Sequence, residues 1–507
     1  MNKNIRKSIL AILSISLISS YIIVENGVFA LNLVKNMKIE QKDNEFSNVT
    51  KEIQDVVDRL KVAGLSISVI ENNQISYSQG FGYSNIDENI KTDTNTIYRI
   101  ASISKSIIAA SIMKLYEEDK FELDDDINDY LNGFEVRNPN YPNEKITFRM
   151  LLTHTSSIVD GDTYSTIYDI QDFGEYKPGS KFEYSNYGYN LLATLIEQIS
   201  NQDFEDFVQN NIFKPLDMKA SFNPNNIENT ENIAILYGVD ENGNWYERLN
   251  DQKRIKENYI MDKIVKDESG KILLGNAFKY SPAGGLRTSP NELAKFMIML
   301  SNRGSYNGEN VLKKDTVDLM SQMHWYGDAL NGLYNYKGLG LHITDNLIEG
   351  HRLIGHTGEA YGLLSNMFYE ENSGFGYIMM LNGSDYEFGE DGFTEIEKEI
   401  AKIIEKNFKQ NKVEIFNINI NDESNISSNH RNIVLKEKVE KMNDDYMLNA
   451  MNFADIFNIK IFKSDKDNVK FIYKNIELVV NVDSKGRVPL LETANKLNIK
   501  YNVIQNK

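Results

Sequence analysis

The stretch Tyr98-Arg99-Ile100-Ala101-Ser102-Ile103-Ser104-Lys105-Ser106-Ile107-Ile108 decides how the rest of the chain reads. A helix beginning near Ser102 puts the Ser102 hydroxyl and the Lys105 ammonium on one face, a turn apart and within mutual reach. A serine hydroxyl does not ionise near neutral pH, so it needs an adjacent base, and a lysine desolvated in a pocket can serve or assist. Ile103, Ile107, Ile108 and Ile112 would bury the same helix and hold both groups rigid. Taken alone, the spacing equally describes a capping serine followed by a solvated lysine, so the reading depends on partners further along.

Two such partners follow. Tyr184-Ser185-Asn186 lies in a turn-rich segment just after Pro178-Gly179. A tyrosine hydroxyl beside an ammonium has its anion stabilised, so Tyr184 could take the serine proton and return it to a leaving group. The Asn186 amide could bond a substrate carbonyl. His356-Thr357-Gly358 falls where a strand is expected, with Gly358 permitting close backbone approach and Ile354 pointing to the core.

Around these motifs, Leu65 to Ile70 and Ile75 to Ser78 alternate as strands joined by a turn at Glu71-Asn72-Asn73. Helices are expected from the Ser102 stretch to Tyr116, over Leu123–Leu131, Ile146–Thr155, Tyr189–Ile199 and Phe204–Phe213, and from Pro290 to Leu300. Strands return at Arg352–Ile354, Leu363–Tyr369 and Gly376–Leu381, and a helix closes the unit over Phe393–Phe408. Strands at both ends with helices between predict one α+β domain whose antiparallel sheet is built from both ends of the sequence.

Asn417 to Arg431, rich in Asn, Asp and Ser, reads as a linker. Beyond it, Phe453–Ile461 recurs as Thr493–Tyr501, a duplicated helix running into a strand, with a hairpin of Val469–Tyr473 and Ile476–Val480 between the copies. Nothing in this part carries catalytic chemistry.

The 507 residues suffice for two or three domains with a large core. A formal charge of -18 with no basic block argues against a nucleic-acid partner. The absence of cysteine excludes disulfides, thiolate chemistry, Cys-based metal sites and a lipid-modified N-terminal cysteine. No histidines or carboxylates have metal spacing, so neither a metal nor another cofactor is expected. Lys3, Arg6 and Lys7, the apolar run Ile9–Val24 and Val28-Phe29-Ala30 read as an export signal over residues 1–30, cleaved after Ala30. The other reading is an uncleaved anchor, although the run falls short of the roughly 20 residues that span a bilayer.

Taken together, the three motifs in this order resemble the serine β-lactamase and penicillin-binding peptidase superfamily, in its class C branch. Leu151-Leu152-Thr153-His154-Thr155, Pro282-Ala283-Gly284-Gly285-Leu286, and Gly362 after Gly355-His356-Thr357-Gly358 reinforce the resemblance, which covers roughly residues 50–405. It implies a sheet flanked by helices plus an all-helical subdomain. It also implies that Ser102 is the acylated nucleophile, Lys105 its activating partner and Tyr184 the general base and acid. By the same resemblance Asn186, His356, Thr357 and Gly358 contact substrate, and the backbone N–H groups of Ser102 and Glu359 form the oxyanion hole. Where many members carry Lys, this chain has His356, a group only partly charged at neutral pH. Glu359 adds a carboxylate that would repel anionic substrates or bind an amine. His154 is expected to stabilise a turn.

The C-terminal duplication, with Gly486-Arg487-Val488-Pro489-Leu490-Leu491 before its second copy, resembles the small α/β stalk-like module at the N-terminus of copper amine oxidases, with no copper implied. The expected organisation is therefore a signal over 1–30, a hydrolase domain over 31–412, a linker over 413–440 and an attachment module over 441–507. The expected activity is that of an exported serine hydrolase forming an acyl-enzyme. A D-alanyl-D-alanine carboxypeptidase or D-amino-acid peptidase acting on cell-wall peptides comes first, with a β-lactamase or an esterase as enzyme alternatives. A penicillin-binding-like sensor or scaffold with little turnover is the non-enzyme alternative. Partners are then a small peptide, amide, ester or β-lactam and, through 441–507, the cell envelope.

Overall fold

In the computed structural model, residues 46–505 are described apart from 164, 170–171, 258–265, 267, 328–331, 349, 372, 409–414, 423, 430, 436, 443–444 and 464–466. The expected signal over 1–30 lies outside the described residues, as do 413–414 of the expected linker. The described part of Met1–Asp55 opens a helix, Ser47–Arg59; Val56–Lys507 forms the other unit.

The principal elements of that unit begin with β1 (Gly64–Glu71), β2 (Gln74–Asn85) and β3 (Ile90–Lys91), followed by helices α1 (Ser104–Tyr116), α2 (Asn186–Ser200) and α3 (Pro290–Ser301). Strands β4 (Trp325–Tyr326), β5 (Tyr336–Lys337), β6 (His342–Thr344), β7 (Leu353–Ala360), β8 (Leu363–Glu370) and β9 (Phe375–Leu381) then precede α4 (Glu395–Asn407). The nine strands form one sheet in the order β4-β5-β6-β7-β8-β9-β1-β2-β3. The early and late halves of the sequence meet where β1 pairs antiparallel with β9, Leu65 opposite Leu381 and Ile70 opposite Gly376. The tight turn between β1 and β2 falls at Asn72 and Asn73, both with positive φ, which asparagine tolerates better than most residues. Helix α3 packs on β1 and β9, and Asn291 at its start accepts from Ser68 and Ser78 at 2.8 and 2.7 Å. The mixed architecture is that expected from the sequence.

Helix α1 is buried on nearly every side and packs on α2, because Ile, Ala and Met occupy both its faces. Ser102 differs from expectation in one detail. It lies in a single 3-10 turn, Ala101–Ile103, ahead of α1, and Ala101 has φ +48. A non-glycine residue held in the left-handed region costs on the order of 1 kcal/mol or more and persists only where its surroundings enforce it. The helix expected over Ile146–Thr155 is confined to Phe148–Leu152, and the one over Leu123–Leu131 is a 3-10 turn at Ile127–Tyr130.

The segment expected as a linker is corrected. Phe416–Ile420, Asn425–Ser428 and Arg431–Val434 are strands, called β10, β11 and β12. Beyond them the duplication is present as α5 (Ala450–Ile456) running to β13 (Lys460–Lys463), and as α6 (Leu490–Lys496) running to β14 (Tyr501–Gln505). Asn458 and Asn498, at equivalent places in the two copies, both have positive φ. Strand β10 lies parallel to β14, Phe416 opposite Tyr501, so the polar stretch is one side of a sheet rather than a tether. Its alternate residues Phe416, Ile418, Ile426 and Ile433 enter the same apolar core as Leu339, Ile343 of β6 and Ile354 of β7. Polar ties accompany them: Arg352 donates to the carbonyls of Ala454 and Ile459 at 3.1 and 2.8 Å, and the Gln322 amide pairs with both backbone groups of Val434. Among the described residues, no helix is long and apolar enough to cross a membrane.

Candidate active site

Ser102 and Lys105 come together as their spacing predicts, with Lys105 Nζ 2.9 Å from Ser102 Oγ. The same nitrogen donates to Asn186 Oδ1 and to the Ala283 carbonyl, both at 2.8 Å. Asn186 opens α2, capped by Ser185, whose hydroxyl accepts from Gly188 N. The Ala283 peptide is held from the other side, its N–H donating to Asn190 Oδ1 at 2.9 Å. Lys105 is fully buried, and loss of water brings its pKa down to about 7, against the pull of Asp160.

That environment has a chemical consequence. A neutral lysine has two N–H donors and one lone pair. Two of its three partners, the Asn186 and Ala283 oxygens, carry no proton and must accept. The third is the Ser102 hydroxyl, so the lone pair is aimed at the one partner with a proton to give up. Tyr184 sits differently. Its hydroxyl bonds Ser102, and its pKa is driven well above the usual tyrosine value, first by burial. At neutral pH the phenol keeps its proton, so it stands as a hydrogen-bond donor beside Ser102 and Lys105.

Asp160 is a site residue that sequence reading missed. Its carboxylate accepts from Ser185 Oγ, from the backbone N–H groups of Asn186 and Tyr187, and from Asn186 Nδ2, all between 2.8 and 3.0 Å. A carboxylate at a helix N-terminus is favourably placed. Here it also fixes which way the Asn186 amide points. Both ends of that amide are engaged within the protein, leaving one N–H of Nδ2 for a substrate carbonyl. No local motif marked Asp160; the signal could only have been a carboxylate brought to Asn186 through space.

His154 behaves as expected. It has φ +57, its Nδ1 accepts from Ser185 N at 3.1 Å, and its ring stacks on Tyr184 at 4.2 Å. His356 does not. It lies on β7 as expected but is 2% exposed, its Nδ1 donates to the Thr357 carbonyl at 2.6 Å, and its ring lies 4.0 Å from that of His342. Burial, then the nearby lysines, hold its pKa well below the usual value, so it offers the cleft no charge. The expectation of substrate contact through His356 is therefore corrected: the strand's pleat turns its ring toward β6.

Thr357, Gly358 and Glu359 do line a cleft of about 730 Å³ together with Ser102, Tyr184, Asn186 and Arg99. Gly358 is required by close approach, since a Cβ there would lie 2.4 Å from the Ile100 carbonyl and 3.2 Å from Ser102 N. At Gly358 the strand thus runs against the turn that carries Ser102. The Glu359 carboxylate accepts from Tyr386 Oη at 2.9 Å.

A second buried lysine lies nearby. Lys337 on β5 is 2% exposed, contacts His342 Nδ1, and has Nζ 5.0 and 4.8 Å from the ring centres of Phe182 and Tyr334. Burial and the Lys105 charge hold its pKa well below the usual lysine value.

A model of the family described as Beta-lactamase matches residues 49–399. Protein flp of Staphylococcus aureus is 33% identical over 190 residues, covering 35% of this chain and 38% of that protein. The putative penicillin-binding protein PbpX of Bacillus subtilis is 30% identical over 195 residues, covering 36% of this chain and 48% of that protein. The matches thus span less than half the length of these curated relatives. Among solved structures, the octameric penicillin-binding protein homologue from Pyrococcus abyssi has a TM-score of 0.56 at 21% identity, covering 86% of this chain and 99% of that one. D-amino acid amidase from Ochrobactrum anthropi has a TM-score of 0.54 at 19% identity, covering 71% of this chain and 98% of that one. At such identities these likenesses bear on the fold, and the family match bears on the chemistry: the chain belongs to the beta-lactamase family and is a serine hydrolase of that fold.

Proposed function

We propose that this protein is an exported hydrolase acylated at Ser102 by peptides or amides of D-amino acids, as a D-alanyl-D-alanine carboxypeptidase or D-amino-acid peptidase acting on cell-wall peptides. The observation that carries the catalytic part is the Lys105 environment: two proton-free acceptors, one hydroxyl, and a pKa brought to about 7. Ser102 Oγ attacks the substrate carbonyl as its proton passes to Lys105 Nζ. The backbone N–H groups of Ser102 and Glu359 receive the developing oxyanion, each contributing about 3 kcal/mol. Tyr184 protonates the leaving amine, is re-protonated from Lys105, and water then hydrolyses the acyl-enzyme. The substrate class is supported by the fold shared with a D-amino acid amidase and with penicillin-binding protein homologues.

The test is to incubate the purified protein with diacetyl-L-lysyl-D-alanyl-D-alanine, a D-amino-acid amide, nitrocefin and p-nitrophenyl acetate, following turnover and intact mass. Release of D-alanine or ammonia, lost in Ser102→Ala, supports the reading. Preferential turnover of nitrocefin or of the ester replaces it by a β-lactamase or an esterase, and a stable adduct without turnover replaces it by a sensor. Export is tested separately by the N-terminus of the mature protein, expected at Leu31. Envelope association through the C-terminal module is tested by fractionating cells that express the protein with and without it.

A further inference from the structure

Strand β7 borders the nucleophile, yet it is paired on both sides only at its start. Pairing with β6 runs from Leu353 to Gly355, whereas β8 accompanies β7 as far as Ala360. From His356 to Ala360 the strand has β8 alone, and this is the stretch in which Gly358 meets the turn that carries Ser102. A hydrogen-bonded hairpin moves as a unit, so its place against Ser102 depends on what holds its far end.

That far end is held by the C-terminal part of the chain. Arg352, the residue before β7, is 6% exposed and donates to the carbonyls of Ala454 and Ile459 at 3.1 and 2.8 Å. Glu371, the residue after β8, accepts from Arg431, and Arg431 pairs with Asp455 at 2.8 Å. The other oxygen of the Asp455 carboxylate accepts from Met323 N at 3.0 Å. Leu353 and Glu370 are paired across the two strands, so Arg352 and Glu371 leave the hairpin side by side. Consecutive residues of α5 thus hold both strands: Ala454 holds β7 through Arg352, and Asp455 holds β8 through Arg431 and Glu371.

The duplication shows that this grip belongs to one copy. Asp455 is 1% exposed and sits where the second copy has Asn495, which is exposed and accepts from Tyr501 of its own copy at 3.1 Å. Ile456 is buried, and its counterpart Lys496 is exposed. A buried carboxylate is costly unless paired, and the copy that carries one is the copy that meets the hairpin. Apolar contact alone could attach the two parts, whereas a directional pair fixes where the hairpin ends.

We propose that the C-terminal module positions the active-site strand, with Asp455, Arg431 and Arg352 as positioning residues that set where the Glu359 N–H lies relative to Ser102. The proposal rests on the reading of that N–H as a donor to the oxyanion. Such a donor must sit close to its place, and a misplacement of about 1 Å costs up to about a hundredfold in rate.

The test measures kcat, KM and Tm for the full-length protein and its variants with p-nitrophenyl acetate. Methylboronic acid serves as a second probe, because its tetrahedral adduct on serine puts an oxygen in the oxyanion hole. Asp455→Asn keeps the side-chain shape, and Arg431 retains Glu371, so no buried guanidinium is left alone. The variant is expected to lower kcat about tenfold with KM within about twofold, and to weaken the boronate by a similar factor. Leu497→Val, at the buried residue after α6, lowers Tm without touching the grip and should leave kcat and boronate inhibition within about twofold. Glu371→Gln breaks the same chain from the hairpin side and decides the matter if Asp455→Asn does not fold. An unchanged kcat in the folded variant, or an equal loss in Leu497→Val, overturns the positioning role. A fall in kcat with boronate inhibition unchanged overturns its assignment to the Glu359 N–H. Ester turnover that survives in Ser102→Ala overturns the nucleophile reading, and the proposal falls with it.

Discussion

Lys105 and Lys337 have much in common: both are fully enclosed, and both have lost most of their basicity through loss of water. They differ in what surrounds the amine. Lys105 faces two oxygens that can only accept and one hydroxyl that can donate, whereas Lys337 faces an imidazole nitrogen and two ring faces. Burial of a lysine therefore does not make a base. The partners decide whether the lone pair has a proton to take, and among the described residues no hydroxyl is recorded as a hydrogen-bond partner of Lys337.

The sharpest way to break this comparison is to remove each amine. Lys105→Ala should lower kcat/KM for the best substrate by on the order of a thousandfold or more, while Lys337→Met should cost less than about tenfold. Equal losses in steady-state assays would mean that both amines take part in the chemistry. Tyr184→Phe should cost about a hundredfold, because it removes a proton relay but leaves the base. A near-normal rate would assign protonation of the leaving group to Lys105 alone.

The pH profile sharpens the comparison further. In the proposed mechanism Lys105 acts only when deprotonated, so log kcat/KM should fall as pH drops through about 7 and level off above it. Burial first, and then the Lys105 charge, disfavour the Lys337 proton, and the recorded partner of its amine is an imidazole nitrogen rather than Ser102. Lys337→Met should accordingly leave that limb in place, and a shift by a full pH unit would show the two amines to be coupled in the working range. Stability follows from the same protons. Both folded-state values lie below the unfolded lysine value near 10.4, so the unfolded chain binds more protons between neutrality and that value, and stability rises with pH across that window. Lys337→Met removes one such group and should raise Tm at pH 7 by a few degrees, less at pH 10, as calorimetry would read.

The smallest effect concerns the neighbour of Lys337. On β5, Tyr336 turns away from Lys337 and its hydroxyl meets the backbone O and N of Ile461 at 3.2 and 3.1 Å. Tyr336→Phe should reduce unfolding free energy by about 1–2 kcal/mol in denaturant titration without moving the pH limb. An altered limb would mean that the C-terminal part reaches the site through this strand.

The readable portion of the site was local. Ser102 and Lys105 are three residues apart, and Tyr184 and Asn186 two, so a helix turn and a helix start bring out their side chains. Asp160, Lys337 and His342 reach the same place from other elements, and no spacing within any one stretch announces them. His356 was read on the right strand and the wrong side, because the pleat separates neighbours onto opposite faces and a motif does not say which face is wet. The polar stretch after α4 misled for a different reason. Asn, Asp and Ser are poor strand formers by composition, and it is pairing with Tyr501–Gln505, together with burial of Phe416, Ile418 and Ile426, that makes Phe416–Ile420 a strand.

The register of β1 with β9 has a consequence for the birth of the molecule. Leu65 waits for Leu381, roughly 300 residues later, which is about 15 to 60 s of synthesis at ~5–20 residues per second. Through that interval Leu65, Ile67 and Val69 have no strand to close against on that edge, and parallel pairing of Phe416–Ile420 with Tyr501–Gln505 imposes a second, later wait. Such long-range closure makes for slow folding and a nascent chain that must be kept from sticking to its neighbours. The same delay leaves the polypeptide threadable until nearly all of it has been made.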